Sequence, residues 1–208
     1  MKIVLLNGSP NEHGCTYTAL SVVAAEMEKL GAETKILWIG KKPVAGCITC
    51  GKCADGKGCV QGGIVNEWAE ELAKADAMVV GSPVYYASVN GSLLALLDRL
   101  YYSGAAKVRY KPFAAVVSAR RAGTSASMDI LHKYALINDQ PVVGSMYWNM
   151  VHGAVNKGED VLKDEEGCQT LRQLARNMVY LTKCIEFGKK EGLTPPEREP
   201  KIKTNFIR

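Results

Sequence analysis

Four cysteines stand within thirteen residues of this 208-residue chain, as Cys47-x2-Cys50-x2-Cys53-x5-Cys59. The two-residue gaps let three thiolates turn towards one centre, and Gly46, Gly51, Gly56 and Gly58 permit the tight turns this needs. Metal binding lowers a thiol's pKa, so such a site assembles even in a reducing compartment. Three chemistries are open at this point: a four-thiolate iron–sulfur centre such as [4Fe-4S], tetrahedral zinc, or a metal-free loop. The run has the compactness of a cubane motif, with a longer last gap than in bacterial ferredoxins and no Pro after Cys59. Structural zinc more often uses two separated pairs. The chain has seven cysteines, an odd number, and their clustering argues against a secreted disulfide scaffold.

A second group of residues suits an anion. Gly8-Ser9-Pro10-Asn11-Glu12-His13-Gly14-Cys15-Thr16 follows an apolar run and leads into a helical pattern. Hydroxyls and backbone N–H groups at a helix start favour a phosphate. The loop is not a Walker A, because five residues separate Gly8 from Gly14 and Cys15 stands where Lys would. It is not a dinucleotide G-x-G-x-x-G either, and no cysteine opens a C-x5-R phosphatase loop. One phosphate monoester is the remaining ligand class, against the plainer alternative of a capped strand–helix turn. Further on, Gly81-Ser82-Pro83-Val84-Tyr85-Tyr86-Ala87-Ser88 offers backbone amides and an aromatic wall to a flat heterocycle. The plainer reading there is two tyrosines covering a helix. A third loop, Ser118-Ala119-Arg120-Arg121-Ala122-Gly123-Thr124, adds flexible backbone and two guanidinium groups.

The elements that must position these loops are legible as alternating patterns. Short Val/Ile/Leu-rich runs at 3–6, 34–39, 77–80, 113–117 and 141–146 predict strands buried on both faces. Apolar residues at three- and four-residue steps predict helices over 16–30, 64–75, 89–101, 124–137 and 166–188. Five strands alternating with five helices imply a doubly wound α/β domain with a parallel sheet in the order 2-1-3-4-5, the flavodoxin-like arrangement. Ligands of that arrangement sit beyond the strand C-termini, where the three loops fall. One domain over 1–192 is expected, carrying a cysteine-rich loop at 46–60, with an extended tail over 193–208.

The combination Gly8-Ser9-Pro10, Ser82-Pro83-Val84-Tyr85-Tyr86 and Ser118-Ala119-Arg120-Arg121-Ala122-Gly123 resembles the NADPH-dependent FMN reductase family, and most closely its iron–sulfur flavoprotein branch. The likeness runs from Met1 to about Trp148 and extends to the late helix. It implies that Ser9, Asn11, Cys15 and Thr16 hold the FMN phosphate, although the family often has Arg and Asn where Asn11 and Cys15 stand. It further implies that Pro83, Val84, Tyr85 and Tyr86 flank the isoalloxazine ring and that Ser118, Arg120, Arg121 and Gly123 line its far edge. Cys47, Cys50, Cys53 and Cys59 match the branch's cluster pattern closely.

Lys plus Arg number 26 and Asp plus Glu 21, a surplus of +5 that is too small and scattered for a nucleic-acid binder. No apolar stretch approaches the roughly 20 residues of a membrane span, so a cytoplasmic location is expected. The leading expectation is an FMN oxidoreductase taking hydride from NAD(P)H and reducing a quinone, an azo or nitro compound, free flavin or an electron-transfer protein. Its alternative is an electron carrier serving a ferredoxin-like partner, and a third reading is a thiol redox sensor. A homodimer or homotetramer is expected because a shallow flavin site needs covering. His13, His132 and His152 show no metal-ligand spacing; His152, after Trp148-Asn149-Met150-Val151, has the best reach to the substrate side.

Overall fold

A computed structural model describes residues 1–154, 157–200, 202 and 204. The main sheet is parallel and contains β1 (Lys2–Asn7), β2 (Glu33–Trp38), β3 (Ala77–Tyr85), β5 (Phe113–Ala119) and β6 (Met150–His152). Their order is β2-β1-β3-β5-β6, and the short β4 (Ser88–Val89) turns back antiparallel on the end of β3. Without that hairpin strand this is the expected 2-1-3-4-5 order. The helices are α1 (Cys15–Lys29), α2 (Ile64–Ala73), α3 (Gly91–Val108), α4 (Thr124–Leu136) and α5 (Glu165–Lys190).

Alternation along each strand divides the core in two. Val4, Leu6, Met78, Val80, Ala115 and Val117 face a layer made by α2, α3 and α4, with Trp68, Leu97 and Leu131 at its centre. Their neighbours Ile3, Leu5, Val79, Ala114 and Val116 face α1 and α5, against Leu20, Val23, Leu171 and Met178. Both faces of the sheet are thus covered, which is why the central strands read as unbroken apolar runs. No helix among the described residues is long and apolar enough to cross a membrane.

Two departures from the sequence expectation matter for the site. The fifth strand is not 141–146: that segment makes one isolated parallel bridge, Phe113 to Val142. Pro141 has no N–H to donate, and the chain continues past Gly144 before pairing resumes at Met150. Buried Asn149 guides it back, its Nδ2 donating to Ala115 O at 3.1 Å and its carbonyl accepting from Val117 N at 3.0 Å. β3 also runs further than expected, through Pro83 to Tyr85. It reverses at Tyr86 and Ala87, whose φ angles of 48° and 57° are those of a tight hairpin turn.

Within the tail, the Tyr110 hydroxyl donates to Pro196 O at 3.0 Å and Arg198 pairs with Asp139. The tail is thus tied to the rest of the chain at Pro196 and Arg198, while its described residues are exposed. Residues 201, 203 and 205–208 of that tail lie outside the described residues.

Candidate functional site

The loop after β1 is wired by its own side chains. Asn7, fully buried, accepts from Ser9 N at 3.1 Å through Oδ1 and donates to Glu12 O at 3.1 Å through Nδ2. Ser9 Oγ accepts from Asn11 N at 3.1 Å, and the Trp38 indole donates to Ser9 O at 2.8 Å. Gly8 lies hard against β3, its N–H donating to Gly81 O at 2.9 Å; a Cβ there would sit 2.8 Å from that oxygen, so only glycine fits. The loop delivers the chain to Gly14, from which α1 begins with no side-chain cap and no acidic residue in its first turn. Its N–H groups and dipole are thereby left to an external anion.

That helix start opens into a cleft lined by Ser9, Asn11, Cys15, Thr16, Pro83, Val84, Tyr85, Ser118, Ala119, Arg120, Gly153 and Ala154. The three loops expected to converge do so. Thr16 Oγ1 and Ser118 Oγ, both buried, lie 2.8 Å apart and tie the first loop to the third. Cys15 donates from Sγ to Ala154 O at 3.2 Å and to Lys157 O at 3.4 Å. Burial, followed by the charges of Asp160 and Glu159, raises its pKa, although hydrogen bonds act the other way. Cys15 is accordingly a neutral thiol donor that shapes the wall, not a thiolate nucleophile.

Nine of the twelve residues expected around a flavin line this cleft, and Tyr86, Arg121 and Gly123 do not. Tyr86 is fully exposed at the tip of the β3–β4 turn. The carbonyl of Arg121 is 3.3 Å from His152 Nε2. Gly123, with φ of +90°, packs under the same turn; a Cβ there would approach Ala87 Cα to 2.6 Å. It positions the second loop against the third without touching the cleft. Gly153 and Ala154 were not expected, because a fifth strand set at 141–146 takes the segment after β6 away from the site. His152 itself pairs with Asp164, Nδ1 to Oδ2 at 3.4 Å, and does not line the cleft.

The cysteine segment forms a second site beside α3. Cys47, Cys50, Cys53 and Cys59 all line one cavity of about 120 Å³, with Arg99, Tyr102 and Ser103 of α3 as its wall. Gly51 and Gly56, both left-handed, bracket a short 3-10 turn over Lys52–Asp55 that carries Cys53. Asn66 of α2 fixes Cys59 on both sides, accepting from its N–H at 2.9 Å and donating to its carbonyl at 3.0 Å. Thr49 N donates to Cys47 Sγ at 3.5 Å and Arg99 Nε to Cys59 Sγ at 3.3 Å. Burial opposes the Cys59 thiolate but is outweighed by the Arg99 hydrogen bond, backbone donors and the Arg99 charge, so its pKa lies below the ordinary thiol value. Among the described residues the thiols are not drawn together as a closed metal site. They share one cavity in which donors favour the Cys59 thiolate, and four cysteines are the donor set that a four-thiolate centre requires.

Comparison with known proteins agrees with this geometry. The model of the NADPH-dependent FMN reductase family matches residues 1–155. An iron–sulfur flavoprotein of Archaeoglobus fulgidus is 31% identical over 199 residues, covering 89% of this chain and 98% of its own. An iron–sulfur flavoprotein of Methanocaldococcus jannaschii is 27% identical over 192 residues, covering 89% of this chain and 100% of its own. Among solved structures, the NAD(P)H:quinone oxidoreductase of Methanothermobacter marburgensis superimposes with a TM-score of 0.64 at 14% identity, covering 86% of this chain and 96% of that one. At that identity the likeness is one of fold.

Proposed function

The chain belongs to the NADPH-dependent FMN reductase family and is an NAD(P)H-dependent FMN oxidoreductase; we propose that its electrons leave through an iron–sulfur centre held by Cys47, Cys50, Cys53 and Cys59 to a one-electron, ferredoxin-like acceptor. The observation that carries this reading is the single cavity shared by all four thiols, on a chain whose relatives are named iron–sulfur flavoproteins. When bound, FMN supplies the two-electron chemistry, taking hydride from the nicotinamide and returning the electrons singly.

The residues of the cleft have the simpler task of binding and orientation. The first turn of α1, with Ser9 Oγ and Thr16 Oγ1, would hold the flavin phosphate. Pro83, Val84 and Tyr85 would flank the ring of a bound flavin, and Ser118 to Arg120 would supply donors to it. Hydride transfer requires no protein acid or base, and no side chain of the cleft is assigned that role. The cysteine loop holds the second centre, with Asn66 and Arg99 fixing Cys59.

Anaerobic purification followed by an absorption spectrum and metal analysis tests this reading. Flavin bands near about 375 and 450 nm, a broad air-sensitive shoulder near about 400 nm and iron with sulfide support it, because those absorptions belong to the two cofactors. Flavin bands with zinc or no metal leave the oxidoreductase standing and overturn the iron–sulfur exit.

A further inference from the structure

Arg99 is a buried cation without a carboxylate. Its residue is 5% exposed, in the middle of α3. Nη1 donates to Ala45 O at 3.2 Å, Nη2 to Gly62 O at 2.9 Å, and Nε to Cys59 Sγ at 3.3 Å. No carboxylate among the described residues pairs with it, in contrast to Arg176, which pairs with Glu26, and Arg198, which pairs with Asp139. A guanidinium cannot shed its proton, and an unpaired buried charge is strongly unfavourable. Arg99 borders two cavities, one lined by Glu67, which forms no ion pair with it, and one lined by the four cysteines; its Nε contact with Cys59 Sγ directs the charge to the thiols.

We propose that Arg99 is the counter-cation of the centre held by Cys47, Cys50, Cys53 and Cys59, positioning Cys59 and raising the reduction potential there; this rests on the iron–sulfur reading above. The geometry gives it two separable effects. Its two carbonyl contacts, at Ala45 before Cys47 and at Gly62 after Cys59, clamp both ends of the cysteine segment onto α3. Its charge lies at the edge of a centre that becomes more negative by one unit with each electron accepted. Because Arg99 itself is buried, its fixed positive charge is weakly screened and favours the reduced state. The electron comes from NAD(P)H by way of FMN, and no proton need move at Arg99. Arg99 is a positioning residue and leaves the flavin cleft untouched.

The test is a redox titration followed by electron paramagnetic resonance on anaerobic wild-type protein, Arg99→Gln and Arg99→Lys, with iron and FMN counted per chain. Arg99→Gln is expected to retain FMN and to show a midpoint shifted to more negative potential. Arg99→Lys keeps the charge but loses the fork, so its midpoint is expected to stay near wild type while iron is lost faster to a chelator. An Arg99→Gln midpoint equal to that of wild type overturns the inference while the iron–sulfur reading stands. Wild-type protein without iron overturns both. Should Arg99→Gln fail to fold, Arg99→Lys decides alone: a midpoint shifted negative, or iron held as firmly as in wild type, overturns the inference.

Discussion

Thr16 Oγ1 and Ser118 Oγ meet at 2.8 Å beneath the cleft, joining the first turn of α1 to the end of β5 across 102 residues of sequence. This contact turns two loops on neighbouring parts of the sheet edge into one wall. Thr16→Val keeps the shape and removes one hydroxyl, leaving Ser118 Oγ without this partner. FMN affinity is expected to fall about 3- to 10-fold, corresponding to ~0.5–1.5 kcal/mol for one hydrogen bond. Fluorescence titration of flavin-free protein measures it; unchanged affinity would place FMN elsewhere.

Gly153 leaves room for Cys15. A Cβ at Gly153 would lie 2.8 Å from Cys15 Sγ, at the foot of the cleft. Gly153→Ala is expected to weaken FMN binding about tenfold, as modest overpacking of ~1–2 kcal/mol would. Adding Cys15→Ala removes the sulfur that clashes, so the double variant should recover most of the loss. Two single losses that simply add in the double variant would contradict the contact.

Gly123 acts on stability before it acts on the flavin. Its φ of +90° and the 2.6 Å approach of a Cβ to Ala87 Cα make Gly123→Ala strained on both counts. A loss of about 2 kcal/mol is expected, seen as a melting temperature lower by roughly 4–8 °C in a domain of this size. Melting unchanged to within a degree would show that the β3–β4 turn does not depend on this packing.

The α1–α5 contact gives a pH dependence of known sign. Arg176 reaches Glu26 Oε1 through both Nε and Nη2 at 2.8 Å. Its hydrogen bond, opposed by burial and aided by Lys29, lowers the Glu26 pKa below 4.5. Because the folded-state value is the lower one, the contribution is complete above pH 4.5 and fades as pH falls through the folded value. Arg176→Gln should cost about 1–2 kcal/mol at pH 7, less than a fully buried pair because Arg176 is half exposed. Denaturant melts of the two proteins should converge only as pH falls below the folded-state value of Glu26. A difference that stays constant into acid would assign the loss to packing instead of charge.

All five helices were legible from where apolar residues recur, and the sheet order followed from the doubly wound arrangement that alternating strands and helices imply. Unbroken runs such as Ile3–Leu6 and Phe113–Val117 occur only where helices cover both faces. The last strand was misplaced because Val142 and Val143 carry the apolar signal, whereas the strand residues are preceded by Tyr147, Trp148 and a buried Asn149. A side chain hydrogen-bonding to the neighbouring strand is invisible to a hydrophobicity pattern. The β3–β4 turn was hidden for a different reason: Tyr86 and Ala87 take left-handed angles without the Gly or Asn that usually announces them. Arg99 escaped the sequence reading altogether, since it lies 40 residues from Cys59 on a helix whose other buried positions are apolar residues and a glycine, chiefly leucines. Only the fold brings it to the thiols.

The most direct measurement of the cleft assignment compares FMN with riboflavin, which lacks the phosphate. Flavin-free protein titrated with each by fluorescence quenching is predicted to bind one FMN per chain. Riboflavin is predicted to bind at least about 100-fold more weakly, because several charge-assisted hydrogen bonds at the start of α1 are lost with the phosphate. Addition of NAD(P)H without oxygen should then bleach the bound flavin. Riboflavin binding as tightly as FMN, or no uptake of FMN at all, would contradict the account.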